Sequence, residues 1–436
     1  MKRHGQLMDA IADAANLQLA FWKAAKSKRA KADCRAFQEK LDENLATLRG
    51  ELLGASVVIG EYHSFTFYDP KERTICAASF RERVLHHALM NVCEPVLEQV
   101  AIFDSYACRT GRGAQAAVQR ACGFARQHGW FLKMDIRKYF DSIDQSVLRG
   151  LLRRKFKDAG VLDLFDRILA SYQTAPGRGL PIGNLTSQHF ANLYLAPLDR
   201  FIKERLQRRC YVRYMDDFVV WGDTAVELRA VWLKVEAFLT AELRLELKPN
   251  VMLNRTEIGM DFPGYRLFPH NLRLTRRRKR RFVRKFRAYE REGMDGEWTE
   301  LQMQQRMTAL IAFTLPCRSR GFRRSVMQRF GAEANGLQPR DPRRQLEQQR
   351  ERRALCQPQQ QQPGQRQQQH WFPGCAAPSS TREPEDSPAA PAAVPSLEKV
   401  IRGEEQEHGS GVSSGERPAE APGLSFPTTN WTNAIP

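Results

Sequence analysis

The stretch YVRYMDDFVVWGD, residues 211–223, decides how this chain is read. Val212, Tyr214, Phe218, Val219 and Val220 make two apolar, β-prone arms around Met215 and Asp216, the pattern of a tight hairpin. On its own, an Asp-Asp pair marks a plain turn about ten times more often than a site. Here the tip of a largely apolar hairpin carries two acids, Asp216 and Asp217, and that is costly unless they bind something.

A second acid lies upstream. In FLKMDIRKYFDSID, residues 131–144, a short apolar strand ends at Asp135 and aromatic residues follow. Phosphoryl transfer asks a protein mainly for positioning and charge neutralisation. A two-metal centre needs carboxylates from separate elements converging on ions roughly 3.5–4 Å apart. A strand end at Asp135 and a hairpin tip at Asp216 and Asp217 meet that need, and Mg²⁺ takes oxygen ligands while keeping substrate phosphates in its shell.

Outward from these two stretches the pattern is mixed. Residues 6–53 have helical spacing (Leu7, Ile11, Ala14, Leu17), interrupted by the basic run Lys23 to Lys31. That run reads equally well as a solvated helix face and as an RNA contact. Residues 62–80 predict two strands around a turn at Asp69-Pro70-Lys71. Residues 81–128 are mostly helical, broken at Thr110 to Gly113, and 145–172 are helical again. The turn APGRGLPIGN precedes a helix expected from about Leu185 to Leu206, then come the hairpin, a helix over 225–243 and a strand-rich patch near 251–268. RLTRRRKRRFVRKFR, residues 273–287, has ten cations in fifteen residues. After about Phe330 Gln, Pro, Ser and Ala dominate and apolar periodicity vanishes, the composition of disorder.

Composition agrees. With 68 Lys and Arg against 49 Asp and Glu in 436 residues, the formal charge is +19, which favours a polyanionic partner. Hydrophobic residues make up 42% of the chain, enough for a sizeable core. The nine cysteines include no C-x-x-C pair, which argues against a structural zinc site or disulfide framework and for reduced thiols in a cytoplasm. The opening residues read as no signal peptide, and no apolar run is long enough for a membrane span.

In order along the chain, residues 131–144, GLPIGNLTSQHFANLYLAPLDRFIK (179–203) and residues 211–223 resemble motifs A, B and C of reverse transcriptases, a resemblance that covers about residues 1–330. It implies an α+β right-hand polymerase fold: a helical N-terminal extension (1–60), fingers and an antiparallel-sheet palm (61–268), a basic helical thumb (269–330) and a disordered Gln/Pro-rich tail (331–436). It implies RNA-directed DNA polymerase activity with two Mg²⁺ ions, Mn²⁺ being a substitute. Asp135, Asp216 and Asp217 would be catalytic and metal-binding, with the Ile136 carbonyl completing one metal shell. Lys71 and Arg73 resemble the fingers cations that grip a deoxynucleoside triphosphate; the competing reading is an exposed charged turn. Phe140 resembles the aromatic gate that excludes a ribose 2′-OH. Gly183 would let backbone approach the incoming base pair, with Ile182 and Gln188 beside it, and Lys248 in LELKPN resembles a lysine that protonates pyrophosphate. DFPGYRLF, residues 261–268, resembles the primer grip, with Pro263 where Leu is usual. Arg276, Arg277, Arg278, Lys279, Arg280 and Arg281 would follow the phosphates of a template–primer duplex.

Motif B narrows the lineage. Ile182 before the Gly and Gln188 after the Ser are similar to reverse transcriptases of diversity-generating retroelements, as are FQEKLDENLATLRGELL (37–53), residues 62–89 and DSYACRTGRGAQAA (104–117). That family makes error-prone cDNA from a template-repeat RNA, misincorporates opposite adenines and rewrites a variable region, the process of mutagenic retrohoming, and it works with a small basic accessory variability protein. The tail gives a separate argument. Gln is CAA or CAG, so a Gln codon before a codon starting with C reads AAC or AGC, Asn or Ser, one base on. Residues 338–373 therefore resemble a template repeat translated out of its useful frame. The alternatives are another bacterial reverse transcriptase (retron, phage-defence or solitary group II-like) and a non-catalytic RNA-binding module on a polymerase scaffold; the presence of all three acids argues against the latter.

Overall fold

In the computed structural model, residues 3–68 and 72–331 are described; the turn at residues 69–71, with Lys71, and the tail from residue 332 lie outside the described residues. Contacts divide the chain into two units, the first running to Arg273 and the second beginning at Leu274.

The N-terminal helical periodicity becomes four helices, α1 (Met8–Ile11), α2 (Ala14–Ala25), α3 (Ala32–Glu39) and α4 (Leu41–Leu53). Asp13 begins α2 by accepting hydrogen bonds from the Ala15 and Asn16 amides. The basic run falls where α2 ends and α3 begins. These helices share one core with the rest of the first unit: Ile11, Leu17, Phe21, Leu48 and Leu52 are buried together with Val84, Leu89 and Phe190. The Phe21, Phe37 and Phe80 rings meet at 5.4–6.0 Å between centroids, fastening α2 and α3 to the helix that follows the first hairpin.

That hairpin is β1 (Tyr62–Tyr68) and β2 (Glu72–Ala78), paired antiparallel with Phe67 opposite Arg73. Ser79 then caps α5 (Phe80–Glu98), and α6 (Ala114–Gln127) follows the glycine-rich break. β3 (Trp130–Asp135) leads through α7 (Tyr139–Ser142) into α8 (Gln145–Arg153), α9 (Ala159–Ala170) and α10 (Leu185–Tyr194). Asp144 and Asp158 cap α8 and α9. The single helix expected over 185–206 is broken: Leu195 ends α10, Pro197 opens α11 (Ala196–Arg200), and one π-helical turn (Phe201–Arg205) completes it. Proline has no amide to continue a helix but suits a first turn.

β4 (Tyr211–Tyr214) and β5 (Asp217–Gly222) form the expected hairpin; α12 (Ala225–Leu243) and β6 (Met252–Arg255) follow. The four strands make one antiparallel sheet in the order β4-β5-β3-β6. α12 packs on β3, β5 and β6, and α6 on β4. β7 (Met260–Phe262) and β8 (Tyr265–Leu267) form a third hairpin. Its turn is Pro263-Gly264 with Gly264 at φ 86°, so Pro at the first corner and a left-handed Gly at the second account for a Pro in place of Leu. β9 (Leu272–Leu274) completes a three-stranded sheet, and the chain passes into the second unit.

The second unit consists, among the described residues, of α13 (Arg276–Met294), α14 (Glu300–Ala312) and α15 (Arg320–Phe330) around Phe282, Phe286, Met307, Leu310 and Val326. Thr275 caps α13, and Thr299 with Gln302 makes a reciprocal capping box on α14. No helix among the described residues is long and apolar enough to cross a membrane.

Candidate active site

Strand register brings the separated acids together. Asp135, the last residue of β3, lies directly opposite Asp217, the first of β5. Tyr214 also faces Asp217, so Met215 and Asp216 form a two-residue turn between β4 and β5. Met215 stands at φ 57°, a left-handed conformation that costs a non-glycine residue of order 1–3 kcal/mol and persists where its surroundings impose it. The Arg213 guanidinium does so, donating to the Met215 carbonyl at 3.0 Å.

Arg213 is fully buried. Its Nε and Nη2 grip Asp199 of α11 at 2.8 and 2.7 Å, its Nη1 reaches Asn192 at 3.2 Å, and the Tyr211 hydroxyl donates to the same Asp199 at 2.7 Å. The carboxylate holds the guanidinium well above its ordinary range although burial pulls the other way. A planar fork on a carboxylate fixes direction as well as charge, so the turn carrying Asp216 is aimed from below. Neither Arg213 nor Asp199 was singled out from sequence; the available signal was an arginine inside an apolar strand.

The acids meet two lysines. Lys248 Nζ lies 2.5 Å from Asp135 Oδ2, and its amide donates to the Asp135 carbonyl at 2.8 Å. Lys133 Nζ donates to Asp217 Oδ2 at 2.8 Å and to the Asp261 carbonyl of β7 at 2.6 Å. Lys133 was missed by sequence reasoning, though its position two residues before Asp135 puts both side chains on one face of β3. Ile136 bridges to Leu247, and its amide reaches the Asp216 carbonyl at 3.4 Å.

Among the described residues, Asp135 Oδ1 and Asp217 Oδ1 are buried and have no hydrogen-bond partner. Burial, and then the neighbouring Asp135 charge, push the Asp216 carboxyl up from 3.8 to about 6. Asp217 is also raised, by burial, with Lys133 opposing. Among the described residues, no group of three or more His, Cys, Asp or Glu side chains could hold an ion by themselves. Lys133 and Lys248 each pair with one carboxylate oxygen of the cluster. The donor set, hard carboxylate oxygens with two of them orphaned, suits a hard divalent ion whose remaining ligands are water and phosphate oxygens.

Of the other expected site residues, Arg73 is exposed on β2. Phe140 is half-buried on α7, and its carbonyl accepts from the Leu180 amide at 2.9 Å. The Cys76 amide donates to the Ile182 carbonyl at 2.8 Å, docking the turn before α10 onto β2. Gly183, at φ 121°, sits so close that a Cβ would lie 3.0 Å from Ile75 Cγ2 and 3.1 Å from the Cys76 carbonyl oxygen. Gly183→Ala is therefore expected to cost about 1–3 kcal/mol of stability, read by chemical denaturation. Gln188 Oε1 accepts from the Cys108 thiol at 3.2 Å, so it is tied to the segment before α6.

In the second unit, Arg276 to Arg281 wind around the first turns of α13 and do not share a face. Arg278 and Lys279 lie over the Phe313 and Phe322 rings, each at 5.6 Å. Arg276, Arg277 and Lys279 are exposed, and Arg280, Arg284, Arg287 and Arg291 form an exposed stripe spaced as a helix spaces one face.

Residues 69–258 match the family described as reverse transcriptase (RNA-dependent DNA polymerase). The chain is 25% identical over 294 residues to the protein YkfC of Escherichia coli, covering 56% of this chain and 74% of that one. It is 30% identical over 141 residues to the group II intron-encoded protein LtrA of Lactococcus lactis, covering 30% of this chain and 23% of LtrA. A solved telomerase from Candida albicans matches 61% of this chain and 54% of its own at 12% identity and a TM-score of 0.39, too loose to argue from. Residues 69–258 are thus a reverse transcriptase domain, that of an RNA-directed DNA polymerase. Its homologues include group II intron-encoded proteins.

Proposed function

We propose that the chain copies RNA into DNA on a right-hand scaffold, with the four-stranded sheet as palm, β1 and β2 in the fingers and α13–α15 as thumb. The observation that carries this reading is the convergence of Asp135 with Asp216 and Asp217 at one end of the sheet, with two orphaned carboxylate oxygens. Two divalent ions, Mg²⁺ or Mn²⁺, would supply Lewis-acid stabilisation of the transferring phosphoryl group. Asp135 and Asp216 would hold them with the Ile136 carbonyl and Asp217, and Lys248 would move from Asp135 to the leaving pyrophosphate. Phe140 would exclude a 2′-OH, Gly183 and Gln188 would border the incoming base pair, and Lys71 and Arg73 would meet the triphosphate. The α13 cations, Arg276 to Arg281 and the stripe beyond them, would track the template–primer backbone. The test is extension of a DNA primer on an RNA template by the full chain: synthesis that stops with a chelator supports the reading, and no synthesis at any divalent ion concentration sinks it.

Metal ligation requires an ionised Asp216. With its carboxyl raised to about 6, the folded protein keeps a proton through pH 4–6 that an ordinary carboxylate has lost, and binding must expel it. Metal affinity, followed by titration calorimetry, is expected to be flat above pH 6 and to fall about tenfold per unit below it. A flat profile down to pH 4.5 would remove Asp216 from the ligand set.

The biological role we propose is error-prone cDNA synthesis from a template-repeat RNA for diversification of a variable region, with a small basic accessory protein as partner. Ile182 supports it, since a branched aliphatic there cannot hydrogen-bond a nucleotide as an amide could, and looser placement lowers discrimination. Ile182→Gln is expected to reduce misincorporation opposite adenine several-fold, read by sequencing cDNA; an unchanged error spectrum counts against the link. The intron-encoded relatives favour a second reading, a group II-like reverse transcriptase with another role. The gene's own nucleotide sequence separates the two: an adenine-rich template in the shifted frame of residues 338–373, with a near-copy elsewhere, is expected only for the first.

A further inference from the structure

At the end of the four-stranded sheet opposite the acids, three side chains line up in a relay. Cys210 immediately precedes β4, Asp223 immediately follows β5, and His128 lies two residues before β3. Antiparallel pairing gathers these three chain ends, with Trp130 opposite Gly222 and Tyr211 opposite Val220. Cys210 Sγ is 3.1 Å from His128 Nε2, and His128 Nδ1 is 2.8 Å from Asp223 Oδ1. A thiol within hydrogen-bond reach of an imidazole whose far nitrogen is held by a carboxylate is the arrangement of an activated nucleophile. The carboxylate fixes the tautomer, leaving Nε2 free to accept the thiol proton.

Burial raises the Cys210 thiol, and the Asp104 and Asp223 charges add to the rise, so it rests protonated and needs a base; Lys203 and Arg120 pull the other way. Both cations are themselves positioned by buried Asp104, at 2.7 and 2.8 Å. The thiol is only half-buried and the His128 side chain is 22% exposed, so a small reagent can arrive from solvent. The Asp135–Asp217 end lies about 20 Å away, at roughly 3.4 Å per strand residue, so this cluster is separate from the polymerase site.

We propose that Cys210, His128 and Asp223 form a reactive-thiol site whose substrate is a small peroxide. As the Cys210 sulfur attacks one peroxide oxygen, its proton passes to His128 Nε2 and the O–O bond breaks. The leaving hydroxide takes that proton back to become water. Cys210 is oxidised by two electrons to a sulfenic acid and the peroxide is reduced.

The test exposes the purified full chain to hydrogen peroxide, traps sulfenic acid with dimedone and follows each cysteine peptide by mass spectrometry. Cys122 is the internal reference: it is also half-buried, burial raises it too, and its charged neighbour is Arg126. Cys210 is expected to be trapped about 100-fold faster than Cys122, the low end of general-base assistance. His128→Gln is expected to bring it down to the Cys122 rate. Asp223→Asn, at a side chain 75% exposed and so without risk to the fold, is expected to slow it by a smaller factor. Equal rates at the two cysteines in the parent, or a Cys210 rate unmoved by both substitutions, overturns the proposal.

Discussion

Asp216→Ala is expected to lower RNA-templated DNA synthesis by about 10³- to 10⁴-fold, with primer binding nearly unchanged. Burial and the adjacent Asp135 push the charge of this carboxylate up in energy, with a backbone hydrogen bond and Lys248 opposing. On the proposed mechanism it would supply a metal ligand where charge develops on the phosphoryl group, and losing several kcal/mol there corresponds to that factor at about 1.4 kcal/mol per decade. The control is thermal stability at neutral pH, expected to be no lower than the parent's, because removing an ionised, crowded carboxylate relieves Asp135. A variant that loses synthesis but melts early has lost its fold, and one that keeps synthesis overturns the ligand assignment.

Asp199→Ala is expected to cost about 3–5 kcal/mol of stability, because it leaves the fully buried Arg213 guanidinium unpaired and deprives the Tyr211 hydroxyl of its acceptor. The measurement is denaturant unfolding of the parent and the variant. The same change should loosen the Met215 turn, since Arg213 holds both Asp199 and the Met215 carbonyl, so activity is expected to fall even where the chain stays folded. Pairing Asp199→Ala with Arg213→Met should recover most of the stability and little of the activity: the unpaired charge is gone, but so is the guanidinium that aims the turn. A cost below about 1 kcal/mol for the single change would mean that water reaches Arg213.

These two residues show where sequence reading ends. Asp216 and Asp217 were legible because an acid pair between apolar arms is locally anomalous. Asp199 was not, because in DRFIK it looks like any acid on an amphipathic helix. Its meaning comes from Arg213, fourteen residues on, across the π-helical turn Phe201–Arg205 and into β4, a contact that periodicity alone did not reveal. Lys133 is similar: it reads as a polar position in strand alternation, and only the β3–β5 register and the β7 hairpin give it Asp217 and Asp261. The basic segment was legible as a basic helix, but not how its cations are partnered. Arg278 and Lys279 lie over Phe313 and Phe322, and those rings come from α14's end and α15, 35 and 43 residues away.

The sequence by itself determined most of the elements and the candidate site: two strands around an acid pair, a third acid at a strand end, a basic helix, and the order of motifs that marks a reverse transcriptase domain. Such information is local, because turn residues, caps and apolar period act over a few positions. Only the tertiary structure decided the partners. Register put Asp135 opposite Asp217, burial raised Asp216, Lys133 and Lys248 came to stand where a cation would, and the far sheet end gathered Cys210, His128 and Asp223. Charge pairing and desolvation depend on distance in space, and no spacing along the chain encodes that before the strands have chosen their neighbours.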